Sequence, residues 1–216
     1  MTRDGAAPDW LDWHREYDDP TSRLGRRLAV VQAHLRDAID ARPGPLRIVS
    51  MCAGEGRDLL GVLAAHGRRD DLSAVLIELD AGIARIARDA ASRAGLTGVR
   101  VECADAAATD SYAGAVPAGI VLACGIFGNI SDDDIRRTVG HLPALCAPRA
   151  TVIWTRGRRR EHDATPRIRE WFTDAGFEEV RFDAPETETF SVGSHRLVAE
   201  PRPLERGITM FRFLAR

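Results

Sequence analysis

The chain has 216 residues, 44% hydrophobic and 29% charged, with a formal net charge of −2; such a composition belongs to a folded globular domain and excludes a disordered chain. A balance this close to neutral supplies no global positive field to hold nucleic acid or an anionic membrane. The Lys+Arg total of 30 is entirely arginine, which excludes Schiff-base chemistry and a Walker-type phosphate loop, since each needs a lysine.

Met1 to Gly5 carries no basic segment leading into an apolar stretch, so no secretory signal is expected. The longest mostly apolar run, Ala118 to Ile130, contains glycines and an asparagine and is too short for a bilayer span. The reading is a soluble cytoplasmic protein. Near the start, Trp10, Trp13 and Tyr17 share one face of a short helix. They suit either a lid over a bound ligand or plain packing of a terminal helix on the domain. A second helix is predicted from Thr21 or Ser22 to about Ala41, with Leu24, Leu28, Val31, Leu35 and Ile39 spaced by three and four. Pro43-Gly44-Pro45 ends it.

Strands and helices then alternate. Leu46 to Met51 reads as a strand, about Glu55 to His66 as a helix, and Ala74 to Leu79 as a strand. Asp80 caps a helix that Gly95 stops, and Val99 to Cys103 is the next strand. Ile120 to Ala123 is followed by a helix capped by Ser131, whose first turn holds Asp132, Asp133 and Asp134. Thr151 to Thr155 precedes a helix near Thr165 to Ala175. Glu179 to Phe182 and Ile208 to Leu214 read as two last strands with no helix between them. Alternation of this kind predicts an α/β, doubly wound, mostly parallel sheet, and the helix-free tail predicts an antiparallel edge. Residues 1–44 form an N-terminal helical appendage, and residues 45–216 form one Rossmann-like domain.

Ligands of such sheets bind beyond the carboxyl ends of the strands, where strand order reverses. The first such end reads Ser50-Met51-Cys52-Ala53-Gly54-Glu55-Gly56-Arg57-Asp58. Alternate glycines let backbone approach a ligand, although a tight turn alone would also use them. A dinucleotide fingerprint wants a third glycine where Leu59 stands, which disfavours a nicotinamide or flavin. Glu78 ends the second strand and suits two ribose hydroxyls; its competing reading is an ordinary exposed acid. Asp105, after the third strand, suits an adenine amino group or a loop cap. Cys52, Cys103, Cys124 and Cys146 lie far apart with no Cys-x-x-Cys pair, so no metal site or disulfide framework is expected.

These three strand ends resemble the class I S-adenosylmethionine-dependent methyltransferase family. Cys52 to Gly56 is similar to the family's first motif, and Glu78 with Asp80 to Ala87 to its ribose acid and following helix. Asp105-Ala106 resembles the adenine-contacting pair, and Ile120 to Ile130 the fourth strand with the loop bordering the methyl donor. The resemblance implies a seven-stranded sheet of order 3-2-1-4-5-7-6 with strand seven antiparallel. It implies S-adenosyl-L-methionine as cofactor, held by Cys52, Ala53, Gly54, Glu55, Gly56, Glu78, Leu79, Asp105, Ala106 and Cys124, with Tyr17 from the N-terminal lid. Two positions depart from the family pattern. Ser50 stands where an acid is usual, which leaves Glu55 or Asp58 as the partner for the methionine ammonium, and Cys52 stands where glycine is usual.

Methyl transfer from a sulfonium needs alignment and exclusion of water more than a catalytic dyad. On the acceptor side Asn129 is the candidate polar group near the methyl, with Phe127 as a wall; a helix-entry turn is the other use for Asn129. His162 is a candidate base, ahead of His14. Arg156, Arg158, Arg159 and Arg160 form a basic loop suited to an acidic acceptor, or simply to solvent. A small-molecule acceptor methylated on O or N is the leading reading. Gly128-Asn129-Ile130 lacks the Asn/Asp-Pro-Pro-aromatic motif of amino-directed nucleic-acid members. A nucleic-acid or protein methyltransferase, or a cofactor-binding protein without activity, are the alternatives.

Overall fold

Apolar runs with a burial pattern that leaves neither face wet build the centre of the molecule. The computed structural model describes residues 19–158 and 163–214. Its strands are β1 (Leu46–Met51), β2 (Leu72–Glu78), β3 (Val99–Cys103), β4 (Ala118–Ala123), β5 (Cys146–Gly157), β6 (Phe177–Asp183) and β7 (Phe190–Leu197). They form one sheet of order β3-β2-β1-β4-β5-β7-β6. The first five pair in parallel, and β7 runs antiparallel to both β5 and β6. This is the order the sequence resemblance implies. Strand order reverses between β1 and β4, so their carboxyl ends flank the natural ligand crevice.

Five helices flank the sheet among the described residues: α1 (Arg23–Asp40), α2 (Leu60–Ala65), α3 (Ala81–Arg93), α4 (Asp132–His141) and α5 (Thr165–Asp174). The caps follow the sequence. Ser22 accepts from the Gly25 amide, Asp80 from those of Gly82 and Ile83, and Ser131 from that of Asp134. Val31, Leu35 and Ile39 of α1 share a core cluster with β1 and α2, while α4, α5 and most of the buried aromatic residues fill the cluster on the sheet's other face. No described helix is long and apolar enough to cross a membrane.

Two expectations need correction. The helix after the first turn starts at Leu60, not Glu55, because Gly56 sits at φ +77° and the backbone turns there before it can wind. The seventh strand is Phe190–Leu197, not Ile208–Leu214. No strand is predicted over its sequence, Phe-Ser-Val-Gly-Ser-His-Arg-Leu, whose polar groups are satisfied by distant partners. Ser194 bonds His34 of α1 at 2.6 Å, and the far nitrogen of His34 bonds Asp183 at 2.7 Å. The Trp154 indole N–H donates to Nδ1 of buried His195 at 3.1 Å, which fixes the His195 proton on Nε2. Gly193 lies against Trp154, so a Cβ there would fall 2.5 Å from an indole carbon. Residues 208–214 instead make only isolated bridges, Ala108 to Thr209 and Ile130 to Phe213. Met210 and Phe211 bury themselves as a strap over the core.

Two predictions follow from this packing. Gly193→Ala must displace a fully buried tryptophan, so we expect a loss of roughly 1–3 kcal/mol in urea unfolding; wild-type stability would contradict the contact. Burial holds the His195 pKa down to about 4 from a usual 6.5. The neutral ring therefore stabilises the fold fully above pH 6.5, and that stabilisation is lost as pH falls toward 4. The loss is on the order of 3 kcal/mol, read as a falling urea midpoint between those pH values. A flat midpoint would contradict it.

Candidate functional site

The turn leaving β1 takes a left-handed path three times, at Cys52 (φ +47°), Gly54 (φ +55°) and Gly56 (φ +77°). Cys52 does so with a side chain, at a usual cost of about 1–2 kcal/mol. Gly56 cannot carry one: its Cβ would lie 2.8 Å from a Leu76 methyl. The ladder to β2 continues through the Ala53 amide, which donates to the Ile77 carbonyl at 2.9 Å.

Glu78 then holds the turn. One carboxylate oxygen accepts from the Gly54 amide at 2.9 Å and the other from the Asp80 amide at 3.0 Å. A carboxylate has about four acceptor positions, so two remain for a ligand. Leu79, the next residue, leaves 66% of its surface exposed, an apolar face at the ligand end of the sheet.

Glu78 pairs in register with Cys103 of β3, and the Ala104 amide donates to the Glu78 carbonyl at 3.1 Å. Asp105 thus lies two residues past the register partner of Glu78, on the adjacent strand end. Its carboxylate caps the Ala107 amide at 2.8 Å and stays exposed, while the buried Tyr112 hydroxyl ties down the Ala106 carbonyl at 2.6 Å. The half-buried Cys52 thiol is pushed up by desolvation, and the charges of Glu78 and Asp105 add to the shift. Both carboxylates therefore lie within electrostatic reach of one thiol.

Beyond β4 the loop is internally bonded. The Gly125 amide donates to the Thr155 hydroxyl at 2.8 Å, and the Asn129 side-chain amide donates to the Gly125 carbonyl at 2.7 Å. Asn129 shapes the loop. Phe127, expected to wall an acceptor, is fully buried with its ring 6.0 Å from Trp154 and 6.5 Å from Phe172; it belongs to the core. The Arg156 guanidinium donates to the Phe127 carbonyl, and Arg158 donates to the carbonyls of Pro185 and Glu188. These two arginines tie loops together as well as adding charge.

On the α1 side of the same crevice, Glu55 pairs with Arg57 at 2.6 Å. Burial pushes the Asp58 carboxyl up, opposed by the charge of Arg27 from α1 and by hydrogen bonding to Cys124; the Cys124 sulfur, just past β4, lies 4.0 Å from the Ile153 carbonyl. Trp10, Trp13, His14, Tyr17, Arg159, Arg160 and His162 lie outside the described residues. Among the described residues no three His, Cys, Asp or Glu side chains cluster to hold a metal.

No family model and no curated protein matches the sequence. Solved structures share its fold. Magnesium protoporphyrin IX methyltransferase from Synechocystis PCC 6803, with SAH bound, superposes with a TM-score of 0.65 at 13% identity, over 87% of this chain and 93% of its own. The CurJ carbon methyltransferase gives a TM-score of 0.67 at 12% identity, over 88% of this chain and 59% of its own. The [4+2]-cyclase SpnF gives 0.57 at 13% identity, over 81% and 82%.

The four cysteines are unpaired, and only Cys103 is exposed. Desolvation also raises the Cys124 thiol and pushes Cys146 up to about 12. A chromogenic disulfide reagent at pH 8 should therefore modify Cys103 quickly and the other three only on unfolding; a second fast thiol would contradict the burial.

Proposed function

We propose that the protein is an S-adenosylmethionine-dependent methyltransferase acting on an O or N nucleophile of a small molecule. One observation carries the reading: Glu78 and Asp105 end adjacent strands, and Glu78 also braces the glycine turn. A ribose, a purine and a chain threading the turn can then be held together. Two free acceptor positions on Glu78 suit two hydroxyls, the exposed Asp105 carboxylate suits an exocyclic amine, and the bare face of Leu79 suits the plane of a base. The residues fit the cofactor. The solved structure with SAH bound has the same fold, and the net charge of −2 favours a small acceptor over nucleic acid.

When bound, the cofactor would supply an electrophilic methyl on a positively charged sulfur, and the Cys52–Gly56 backbone, Glu78 and Asp105 would hold it. The chain's contribution is placement. The Cys52–Gly56 backbone and Glu78 fix the ligand along the strand ends, and Asn129 holds the loop that borders the reacting centre, making it a positioning residue. An acceptor that carries its proton needs a base, for which His162 is the candidate.

Thermal unfolding with S-adenosylhomocysteine against NAD(H) tests the reading. Selective binding at ~100 times Kd adds ~2.7 kcal/mol. Glu78→Ala and Asp105→Ala should each weaken binding by about tenfold, ~1.4 kcal/mol. No response to S-adenosylhomocysteine, or wild-type affinity in both variants, would refute it.

A further inference from the structure

The tail after β7 crosses the carboxyl rim of the sheet. The Thr109 amide donates to the Ile208 carbonyl at 2.9 Å, and the Met210 amide to the Ala107 carbonyl at 2.8 Å. Further on, the Arg212 amide reaches the Asp134 carboxylate at 3.1 Å, and the Leu214 amide the Asn129 carbonyl at 2.9 Å. The tail thereby straps the loop that follows Asp105 to the loop that Asn129 shapes. We infer that the far end of this strap, Phe213 with Leu214, is one wall of the acceptor site, and that the acceptor carries its nucleophile on a planar aromatic ring. This rests on the methyltransferase reading above.

Exposure singles out this pair. Among the described residues the exposed large apolar side chains are Leu79, Val180, Val198, Phe213 and Leu214. Val180 lies on edge strand β6 and Val198 follows β7; the other three stand at the carboxyl rim. Phe213 is 52% exposed and Leu214 58%, although Met210 and Phe211 just before them are buried. Phe213 bridges Ile130 at the β4 end of the strap, beside the loop that borders the reacting centre. The purine is accounted for at the other end, by Asp105 and Leu79. What covers Phe213 is therefore the acceptor.

The chemistry of the occupant follows from how the ring is held. Phe213 packs edge-on against buried Phe211, with ring centroids 5.5 Å apart and planes at 78°. Such a contact fixes the tilt of the outer ring, so a flat apolar surface stands ready with little left to order on binding. A second aromatic ring laid against it removes apolar area from water on both partners and gains the stacking preference. Charge is a lesser means of recognition beside the strap. Asp134 is engaged by the Arg212 amide and by Arg137, and Asp132 by Arg167 at 3.0 Å.

Calorimetric titration of the protein saturated with S-adenosylhomocysteine tests the assignment. The probe is 2-naphthol, and the control is decahydro-2-naphthol, its saturated and puckered counterpart. The probe should bind saturably and about tenfold more tightly than the control. Phe213→Ala should weaken 2-naphthol by about tenfold, and Phe213→Tyr, which keeps a ring, by less than about twofold. Both variants should hold S-adenosylhomocysteine within about twofold of wild type. Equal affinity for the two alcohols overturns the ring preference, and wild-type 2-naphthol affinity in Phe213→Ala overturns the wall. An equal loss of both ligands in that variant marks a purely structural role and overturns it as well. So does a wild-type dimer, seen by sedimentation, that Phe213→Ala dissociates, since the exposed ring then belongs to a contact between copies. A wild type that binds S-adenosylhomocysteine but not 2-naphthol overturns the acceptor assignment alone, whereas one that binds neither overturns the cofactor reading with it.

Discussion

The site depends on one carboxylate. Glu78 accepts from the Gly54 amide with one oxygen and from the Asp80 amide with the other, so a single side chain locks the first turn against the start of α3. That brace adds to the backbone bonds of Ala53 and Gly56 in holding three alternate left-handed positions, Cys52, Gly54 and Gly56, on one path. The brace is charge-assisted, stronger than a neutral hydrogen bond, and it costs the protein little because the same oxygens keep lone pairs for a ligand. In the proposed function, structure and recognition share this one group.

The sheet supplies the rest of the geometry. Parallel pairing of β1, β2, β3 and β4 brings four strand ends to one rim, and the reversal between β1 and β4 opens the crevice there. Glu78 and Asp105 lie on one side of that crevice, and Cys124, just past β4, lies on the other. Helix α1 belongs to this arrangement through two anchors: Gln32 on the turn, and His34, which joins Ser194 and Asp183.

Much of this was legible in the sequence because its signals are local. Helix caps at Ser22, Asp80 and Ser131, apolar strand runs and a Gly-rich turn each declare themselves within a few residues. Glu78 and Asp105 were legible for the same reason, as acids at strand ends. What escaped depends on partners far along the chain. Strand β7 was hidden because Gly193 answers to Trp154, and Ser194 to His34. Phe127 looked like a pocket wall until Trp154 and Phe172 were seen around it. Asn129 turned inward to the Gly125 carbonyl, the turn-forming use that spacing alone left open.

The shared fold includes a methyltransferase with SAH bound and a cyclase, so architecture by itself does not choose the chemistry. The choice rests on how the strand-end carboxylates meet one ligand, and a crystal structure of the complex with S-adenosylhomocysteine measures that directly. The account predicts both ribose hydroxyls within about 3 Å of the Glu78 carboxylate and the adenine amine against Asp105. A ligand seated elsewhere, or one whose sugar turns away from Glu78, would contradict it.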